Sequence, residues 1–211
     1  MQVKICGITR PEDAYLASSL GADAIGLIFY SGSPRHVSIA MAKDVLSATG
    51  PYINVNALFV NAAKSEVESV LSALPISMLQ FHGDESAGFC EQFDRPYVKS
   101  IAVASHRDFS PVYTQYSGAS AFLFDTAVKG AHGGTGIAFD WTIMPLRAPK
   151  PRILAGGLTA DNIQKAIATA CPDAVDVSSG VEASPGVKDA HKLEQFILRA
   201  KSAVKENSAC R

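Results

Sequence analysis

Residues 1–22, MQVKICGITRPEDAYLASSLGA, contain the structural unit that recurs along the whole chain. An apolar run of strand length, residues 2–6, ends in Cys6 and is followed by a loop. A helix is predicted next, because Thr9 and Glu12 have the spacing of a capping box. The stretch therefore predicts a strand, a loop and a helix, in that order.

The same pattern is repeated to the end of the chain. Eight apolar runs rich in Val, Ile, Leu and Phe have the length of a strand, and stretches with helical spacing separate them. These runs lie near residues 2–6, 24–29, 53–60, 77–81, 97–102, 120–125, 152–155 and 174–178. Eight strand-helix units in 211 residues predict an α/β protein with a (β/α)8 TIM barrel, in which eight parallel strands lie inside a ring of helices. We expect one domain over residues 1–211.

A doubly wound open sheet is the alternative architecture for such a chain. When an open sheet of this kind binds a dinucleotide, it carries Gly-x-Gly-x-x-Gly after its first strand. The corresponding residues 6–11 read CGITRP here, so the dinucleotide fingerprint is absent. The sequence therefore favours the closed barrel.

Composition narrows the range of partners. The chain has 19 Lys plus Arg against 20 Asp plus Glu, so its charge predicts binding neither to nucleic acid nor to an anionic membrane. No apolar run is long enough to span a bilayer, and no secretory leader precedes the first strand. Four widely spaced cysteines suit reduced thiols better than a disulfide framework or a zinc site; they are Cys6, Cys90, Cys171 and Cys210. We expect a cytoplasmic protein whose partner is a small molecule.

Two reactive side chains are predicted to end strands of the barrel. Cys6 closes the first strand and Asp125 closes the sixth. Alternation places Lys4 and Cys6 on one face of the first strand and the apolar Val3 and Ile5 on the other, so Cys6 should point into the barrel. A thiolate can remove a proton from carbon, and a protonated carboxylic acid can deliver one. The pair is a candidate base and acid; the alternatives are a core cysteine and a carboxylate that only caps its loop.

Glycine-containing turns follow the seventh and eighth predicted strands. Gly156 and Gly157 come after the seventh strand, and Ser179 and Gly180 come after the eighth. In barrels the loops after these two strands commonly bind phosphate through backbone N–H groups, although either motif alone could be only a tight turn. The loop after the sixth strand contains GGTG at residues 133–136, which could approach a ligand or close as a lid. It is not a nucleotide P-loop, because no Gly-Lys-Ser or Gly-Lys-Thr follows.

Two further side chains are predicted at the same end of the barrel. Arg35 lies in the loop after the second strand and could hold a carboxylate with two parallel hydrogen bonds, or be a solvated surface residue. His82 ends the fourth strand and is a candidate donor to a ligand or a satisfied histidine of the rim. The remaining histidines show no metal-ligand spacing, and we predict no metal; they are His36, His106, His132 and His191.

Seven short strings follow one another from near the start of the chain almost to its end. They read KICGIT (4–9), SPR (33–35), QFHGD (80–84), FDT (124–126), GGTG (133–136) with FDW (139–141), LAGGL (154–158) and DVSSGVE (176–182). Together and in this order they resemble the phosphoribosylanthranilate isomerase family, which are barrel enzymes of tryptophan biosynthesis.

The resemblance implies an activity. Enzymes of this family convert N-(5-phosphoribosyl)anthranilate to 1-(2-carboxyphenylamino)-1-deoxyribulose 5-phosphate, which is an Amadori rearrangement. It implies that Asp125 protonates the ribose ring oxygen as general acid and that Cys6 removes the C2 proton as general base. Because the iminium intermediate is itself the electron sink, it implies no metal, pyridoxal or nicotinamide cofactor.

The resemblance also implies how the substrate is held. Arg35 would pair with the anthranilate carboxylate, and the loops after the seventh and eighth strands would hold the phosphate. The expected substrate-binding residues are Arg35, His82, Gly156, Gly157, Asp176, Ser179 and Gly180. A non-catalytic barrel that binds phosphorylated ligands, or a different sugar-phosphate isomerase or epimerase, is the alternative. We expect a monomer rather than a homodimer.

Overall fold

The computed structural model describes residues 1–103, 108–126 and 139–203. Eight parallel strands close into a barrel in the order of the sequence, and the eighth pairs with the first. The strands are β1 (Gln2–Cys6), β2 (Ala24–Ile28), β3 (Asn54–Phe59), β4 (Met78–Phe81), β5 (Tyr97–Val103), β6 (Ala121–Thr126), β7 (Arg152–Leu154) and β8 (Ala174–Val177). The predicted fold class is confirmed.

Seven α-helices accompany these strands in the described part of the chain. They are α1 (Pro11–Ser19), α2 (Ile39–Ser47), α3 (Lys64–Ala73), α4 (Ala87–Glu91), α5 (Ser110–Gln115), α6 (Ile163–Ala170) and α7 (Ala190–Ser202). One helix after every strand was expected, but the described residues between β6 and β7 contain only a 3-10 turn, Trp141–Ile143. Another 3-10 turn, Ser179–Val181, follows β8. It leads into a hairpin that the sequence did not predict, β9 (Glu182–Ser184) and β10 (Val187–Lys188).

The alternation predicted for the first strand is confirmed. Val3 and Ile5 are buried in the main core, which also contains helix residues such as Phe196. Cys6 belongs to a separate cluster with Ile28 and Leu58, inside the barrel mouth. Burial of each large apolar side chain contributes about 1.5–3 kcal/mol, so the core fixes the direction of the strand and with it the direction of Cys6.

The first helix does not begin as its sequence predicts. Arg10 is the N-cap residue, and no side chain caps the helix. The hydroxyl of Thr9 instead donates to the carbonyl oxygen of Gly186, 2.5 Å away, in the turn between β9 and β10. A contact distant in sequence has therefore replaced the local capping box.

The described cysteines differ in chemical state. Cys6 and Cys90 are buried free thiols. Cys171 is disulfide-bonded, so the expectation of reduced thiols is wrong at this position. Cys210 lies outside the described residues.

None of the helices in the described ranges is long and apolar enough to cross a membrane.

Candidate active site

One pocket at the carboxyl ends of the barrel strands is lined by all of the predicted site residues. They are Cys6, Arg35, His82, Asp125, Gly156, Gly157, Asp176, Ser179 and Gly180. Cys6 from β1 and Asp125 from β6 thus face the same cavity, at the end of the barrel where enzymes of this fold carry their sites. The GGTG loop at 133–136, with His106 and His132, lies outside the described residues.

Cys6 lies beside a buried ion pair. Nζ of Lys4 is 2.8 Å from Oδ2 of Asp176, and each side chain is less than a tenth exposed. Nζ of Lys4 also lies close to the Cys6 thiol, since both groups are within 3.1 Å of a single point, the Cβ position at Gly26. Burial raises the pKa of the Cys6 thiol, and the nearby ammonium of Lys4 opposes that rise. The sequence had placed Lys4 on the face of Cys6 without giving it a role.

A glycine in β2 makes room for this arrangement. A Cβ at Gly26 would lie 2.8 Å from Sγ of Cys6 and 3.1 Å from Nζ of Lys4. Real Cβ atoms do not approach a sulfur atom this closely, so any larger residue would push the two groups out of place. Gly26 is therefore a site residue that sequence analysis missed, since one glycine in a strand has no specific signal.

Asp125 is held by two neighbours. Its Oδ1 accepts a hydrogen bond from the backbone N–H of Thr126 (2.7 Å), and its Oδ2 lies 3.3 Å from Nε2 of His82. Nδ1 of His82 faces the amide nitrogen of Gln80 at 3.2 Å and Oγ of Ser100 at 2.9 Å. His82 therefore contacts the candidate acid as well as the pocket.

The turn after β7 brings backbone close to Asp125. Gly156 has φ of +81° and Gly157 has φ of +61°, in the left-handed region that favours glycine. A Cβ at Gly156 would lie 2.8 Å from Oδ1 of Asp125 and would collide with Oγ1 of Thr126. The glycine is required both by its backbone conformation and by the carboxylate beside it.

Gly156→Ala is expected to lower turnover as well as stability. The left-handed conformation alone should cost about 1–2 kcal/mol, and the added methyl group should displace Asp125. Gly21→Ala is the matched control, because Gly21 has φ of +90° but no neighbouring atom within 4 Å of its Cβ position. Thermal unfolding and steady-state kinetics measure the two effects. Equal kcat losses in both variants would contradict the contact with Asp125.

The turns after β7 and β8 present open backbone donors to the pocket. No acceptor within the described ranges pairs with the backbone N–H groups of Gly157, Ser179 and Gly180. The turns pack tightly, because a Cβ at Gly180 would collide with the carbonyl oxygen of Leu158. Unsatisfied N–H groups that converge in this way can bind an anion.

Arg35 is buried and is not the solvated surface residue that was one alternative. Its Nε and Nη2 donate to the two carboxylate oxygens of Glu182 at 2.8 and 2.7 Å. The two parallel hydrogen bonds that the sequence assigned to a ligand carboxylate are thus made to Glu182, and Nη1 is the part of the guanidinium left for a ligand. The hydrogen bonds to Glu182 raise the pKa of Arg35, although burial opposes them.

The β9–β10 hairpin completes this network. Lys188 donates through Nζ to Oε1 of Glu182 at 2.8 Å and to the carbonyl oxygen of Cys6 at 2.7 Å. Burial raises the pKa of Glu182, but hydrogen bonds from Arg35 and Lys188 outweigh it and leave this pKa lowered. Sequence analysis gave neither Glu182 nor Lys188 a role in the site. Their strands have three and two residues, which is too short for a detectable periodicity.

A closed parallel barrel with a thiol, a carboxyl group and open amide donors at the carboxyl ends of its strands defines an enzyme of the (β/α)8 class. Among the described residues, no cluster of three or more His, Cys, Asp or Glu suits a metal ion. A family model described as N-(5'phosphoribosyl)anthranilate (PRA) isomerase matches residues 3–199. The chain belongs to this family.

Individual relatives agree with the family model. The chain is 52% identical over 201 residues to N-(5'-phosphoribosyl)anthranilate isomerase of Stutzerimonas stutzeri (strain A1501), which covers 95% of this chain and 97% of the relative. The crystal structure of phosphoribosyl anthranilate isomerase from Thermotoga maritima has a TM-score of 0.87 and 36% identity over 95% of this chain and 98% of that one.

Two more solved structures bear on ligand and assembly. One is of the isomerase in complex with reduced 1-(o-carboxyphenylamino)-1-deoxyribulose 5-phosphate, with a TM-score of 0.84 and 35% identity over 95% of this chain and 98% of that one. The other shows monomers generated from the dimeric Thermotoga maritima isomerase, with a TM-score of 0.84, 34% identity and the same coverage.

Proposed function

We propose that this protein isomerises N-(5'-phosphoribosyl)anthranilate in tryptophan biosynthesis, with Asp125 as general acid and Cys6 as general base. One observation carries the assignment of roles: a thiol from β1 and a carboxyl group from β6 line the same pocket. A thiolate can take a proton from carbon and a carboxylic acid can give one to a ring oxygen, so the two groups together supply both transfers.

The reaction needs two proton transfers with groups of the protein. Protonated Asp125 gives its proton to the ribose ring oxygen, the bond from that oxygen to C1 breaks, and the nitrogen lone pair forms the iminium. The Cys6 thiolate then takes the C2 proton, and the electron pair of that C–H bond forms the enolamine, which tautomerises to the ketone. Asp125 has lost one proton and Cys6 has gained one; proton exchange with solvent restores both groups for the next turnover, and no oxidant or reductant is required. Each positioned group should contribute about 10² to 10⁴ in rate.

The substrate phosphate is assigned to the turns after β7 and β8. The open N–H groups of Gly157, Ser179 and Gly180 support this assignment, since they are donors that need an anionic partner. Gly156 shapes the turn, and Asp176, with Oδ1 unpaired within the described part of the chain, is a further polar contact for the sugar. A phosphate held there leaves the ribose between Cys6 and Asp125.

A continuous assay tests the proposed reaction. Freshly generated phosphoribosylanthranilate is fluorescent, and its signal should disappear faster with the protein than by spontaneous hydrolysis. A barrel that only binds phosphorylated ligands would leave the rate of loss unchanged, and this result would remove the proposal. A different sugar-phosphate isomerase would instead turn over simple aldose phosphates and leave the fluorescence intact.

Arg35→Ala should weaken substrate binding through the anthranilate carboxylate. Removing one partner of a buried charge pair costs about 2–5 kcal/mol, so KM should rise about 30-fold or more. Inhibition constants of two product analogues, with and without that carboxylate, isolate the contact. Arg10→Ala is the control, since Arg10 pairs with Asp13 and does not line the pocket. If Arg35→Ala weakens both analogues equally, Arg35 does not bind the carboxylate.

The active form is proposed to be a monomer, because a single chain supplies both proton-transfer groups and the open N–H donors of the pocket. The isomerase from Thermotoga maritima is described as dimeric. Sedimentation velocity at the assay concentration should give the mass of a single chain, and twice that mass would contradict the proposal. The cytoplasmic location stays a prediction.

A further inference from the structure

Lys4 is a buried cation that lies below the pocket. The proposed reaction gives this side chain no role. It is only 7% exposed, although an unpaired lysine is rarely buried in a protein interior. Its ammonium lies 2.8 Å from one oxygen of Asp176 on the neighbouring strand β8. Such a pair costs free energy to desolvate, so stability alone is a weak reason for its presence.

The position of Lys4 relative to Cys6 suggests why the buried ion pair is present. Both side chains point inward from β1, and both pass within 3.1 Å of the Cβ position at Gly26. The ammonium of Lys4 has the thiol on one side and, on the other, Oδ2 of Asp176, to which it donates a hydrogen bond. Its positive charge therefore lies next to the sulfur atom that must become negative in a general base.

Other charged groups lie near Cys6, but the two other cations among them are paired with Glu182. Lys188 from β10 contacts the carbonyl oxygen of Cys6 rather than its sulfur, and it is paired with Glu182. Arg35, from the loop after β2, is also paired with Glu182. Asp176 from β8 is an anion and disfavours the thiolate. Lys4 is the cation whose ammonium lies beside the sulfur itself.

We propose that Lys4 is a positioning residue that stabilises the Cys6 thiolate when it forms, while Asp176 fixes the ammonium in place. The assignment rests on the proposed function, since it explains how Cys6 acts as a base. The burial that raises the pKa of the thiol makes such a partner necessary, because a thiol cannot remove a proton from carbon.

The rate of alkylation of Cys6 tests the proposal without any substrate. Iodoacetamide reacts with the thiolate, and mass spectrometry reports Cys6 and Cys90 separately at pH 8. In Lys4→Met the rate at Cys6 should fall about tenfold or more, since an opposite charge within about 4 to 6 Å typically changes a pKa by about 1 to 3. In Asp176→Asn the rate should rise, because an anion near the sulfur is removed while the lysine keeps a hydrogen-bond acceptor.

The two variants break the same ion pair, so their comparison separates electrostatics from structure. A merely structural role for Lys4 would move both rates in the same direction, and this result would overturn the proposal, as would an unchanged rate in Lys4→Met. Cys90 reports folding: it is buried, its pKa is raised to about 12 by burial, and it should stay unmodified. If Cys90 is alkylated in Lys4→Met, that variant has lost its fold, and the alkylation rate of Cys6 in Asp176→Asn becomes the test. A rate at or below that of the unsubstituted protein then overturns the proposal. Because turnover is measured separately, the isomerase assignment can fail while these rates stand.

Discussion

Asp125→Asn is expected to lower kcat by about 10² to 10⁴, because an amide cannot deliver a proton to the ring oxygen. The change keeps the size of the side chain, and its remaining carbonyl oxygen can still accept from the N–H of Thr126. Binding of a phosphorylated product analogue should therefore stay within a few-fold of its original value. Steady-state kinetics and calorimetric titration with that analogue measure the two quantities.

The control for this variant is an identical substitution away from the pocket. Asp161→Asn removes a carboxylate that is 92% exposed and that, among residues with a described placement, pairs with Arg199 on the protein surface. It should leave both kcat and analogue binding unchanged. An Asp125→Asn protein with near-normal kcat would show that the acid has been assigned to the wrong residue.

Cys6→Ser should lower kcat by a similar factor, about 10² to 10⁴. A hydroxyl is close in size to a thiol but is far less acidic, so the ammonium of Lys4 cannot stabilise its anion at neutral pH. The hydrogen bond from Lys188 to the backbone of residue 6 is unaffected by the substitution. Substrate binding should therefore persist while proton removal from C2 stops.

Cys90→Ser provides the matched control, because Cys90 is the other free thiol in the described part of the chain. It lies in the main core on α4 and does not line the pocket. This variant should lose stability by burying a hydroxyl but keep its kcat. A Cys6→Ser enzyme that turns over substrate as fast as Cys90→Ser would rule out the thiolate base.

The barrel could be predicted because its signals are local and repeated. Each predicted strand coincides with an observed one to within one or two residues, and β1 alternates as its sequence indicates. Side chains at strand ends then had to meet at one rim, which is why Cys6 and Asp125 could be paired from sequence. Their separate roles came from the resemblance to a family and not from their positions.

Long-range contacts account for what the sequence could not show. Arg35 and Glu182 are 147 residues apart, and nothing in the local sequence indicates that the guanidinium of Arg35 already donates two hydrogen bonds to Glu182. Lys4 and Asp176 are 172 residues apart and meet only because β8 closes against β1. The capping box at Thr9 failed for the same reason, since its hydroxyl donates to the carbonyl oxygen of Gly186 instead of accepting from an N–H of the helix.

A crystal structure with reduced 1-(o-carboxyphenylamino)-1-deoxyribulose 5-phosphate would test the central claim most directly. We expect the phosphate on the N–H groups of Gly157, Ser179 and Gly180. Sγ of Cys6 should lie about 3 to 3.5 Å from C2 of the sugar, and the Asp125 carboxyl group should be within hydrogen-bond distance of the oxygen on C4. A complex in which another side chain approaches C2, or in which the sugar lies beyond reach of either group, would contradict it.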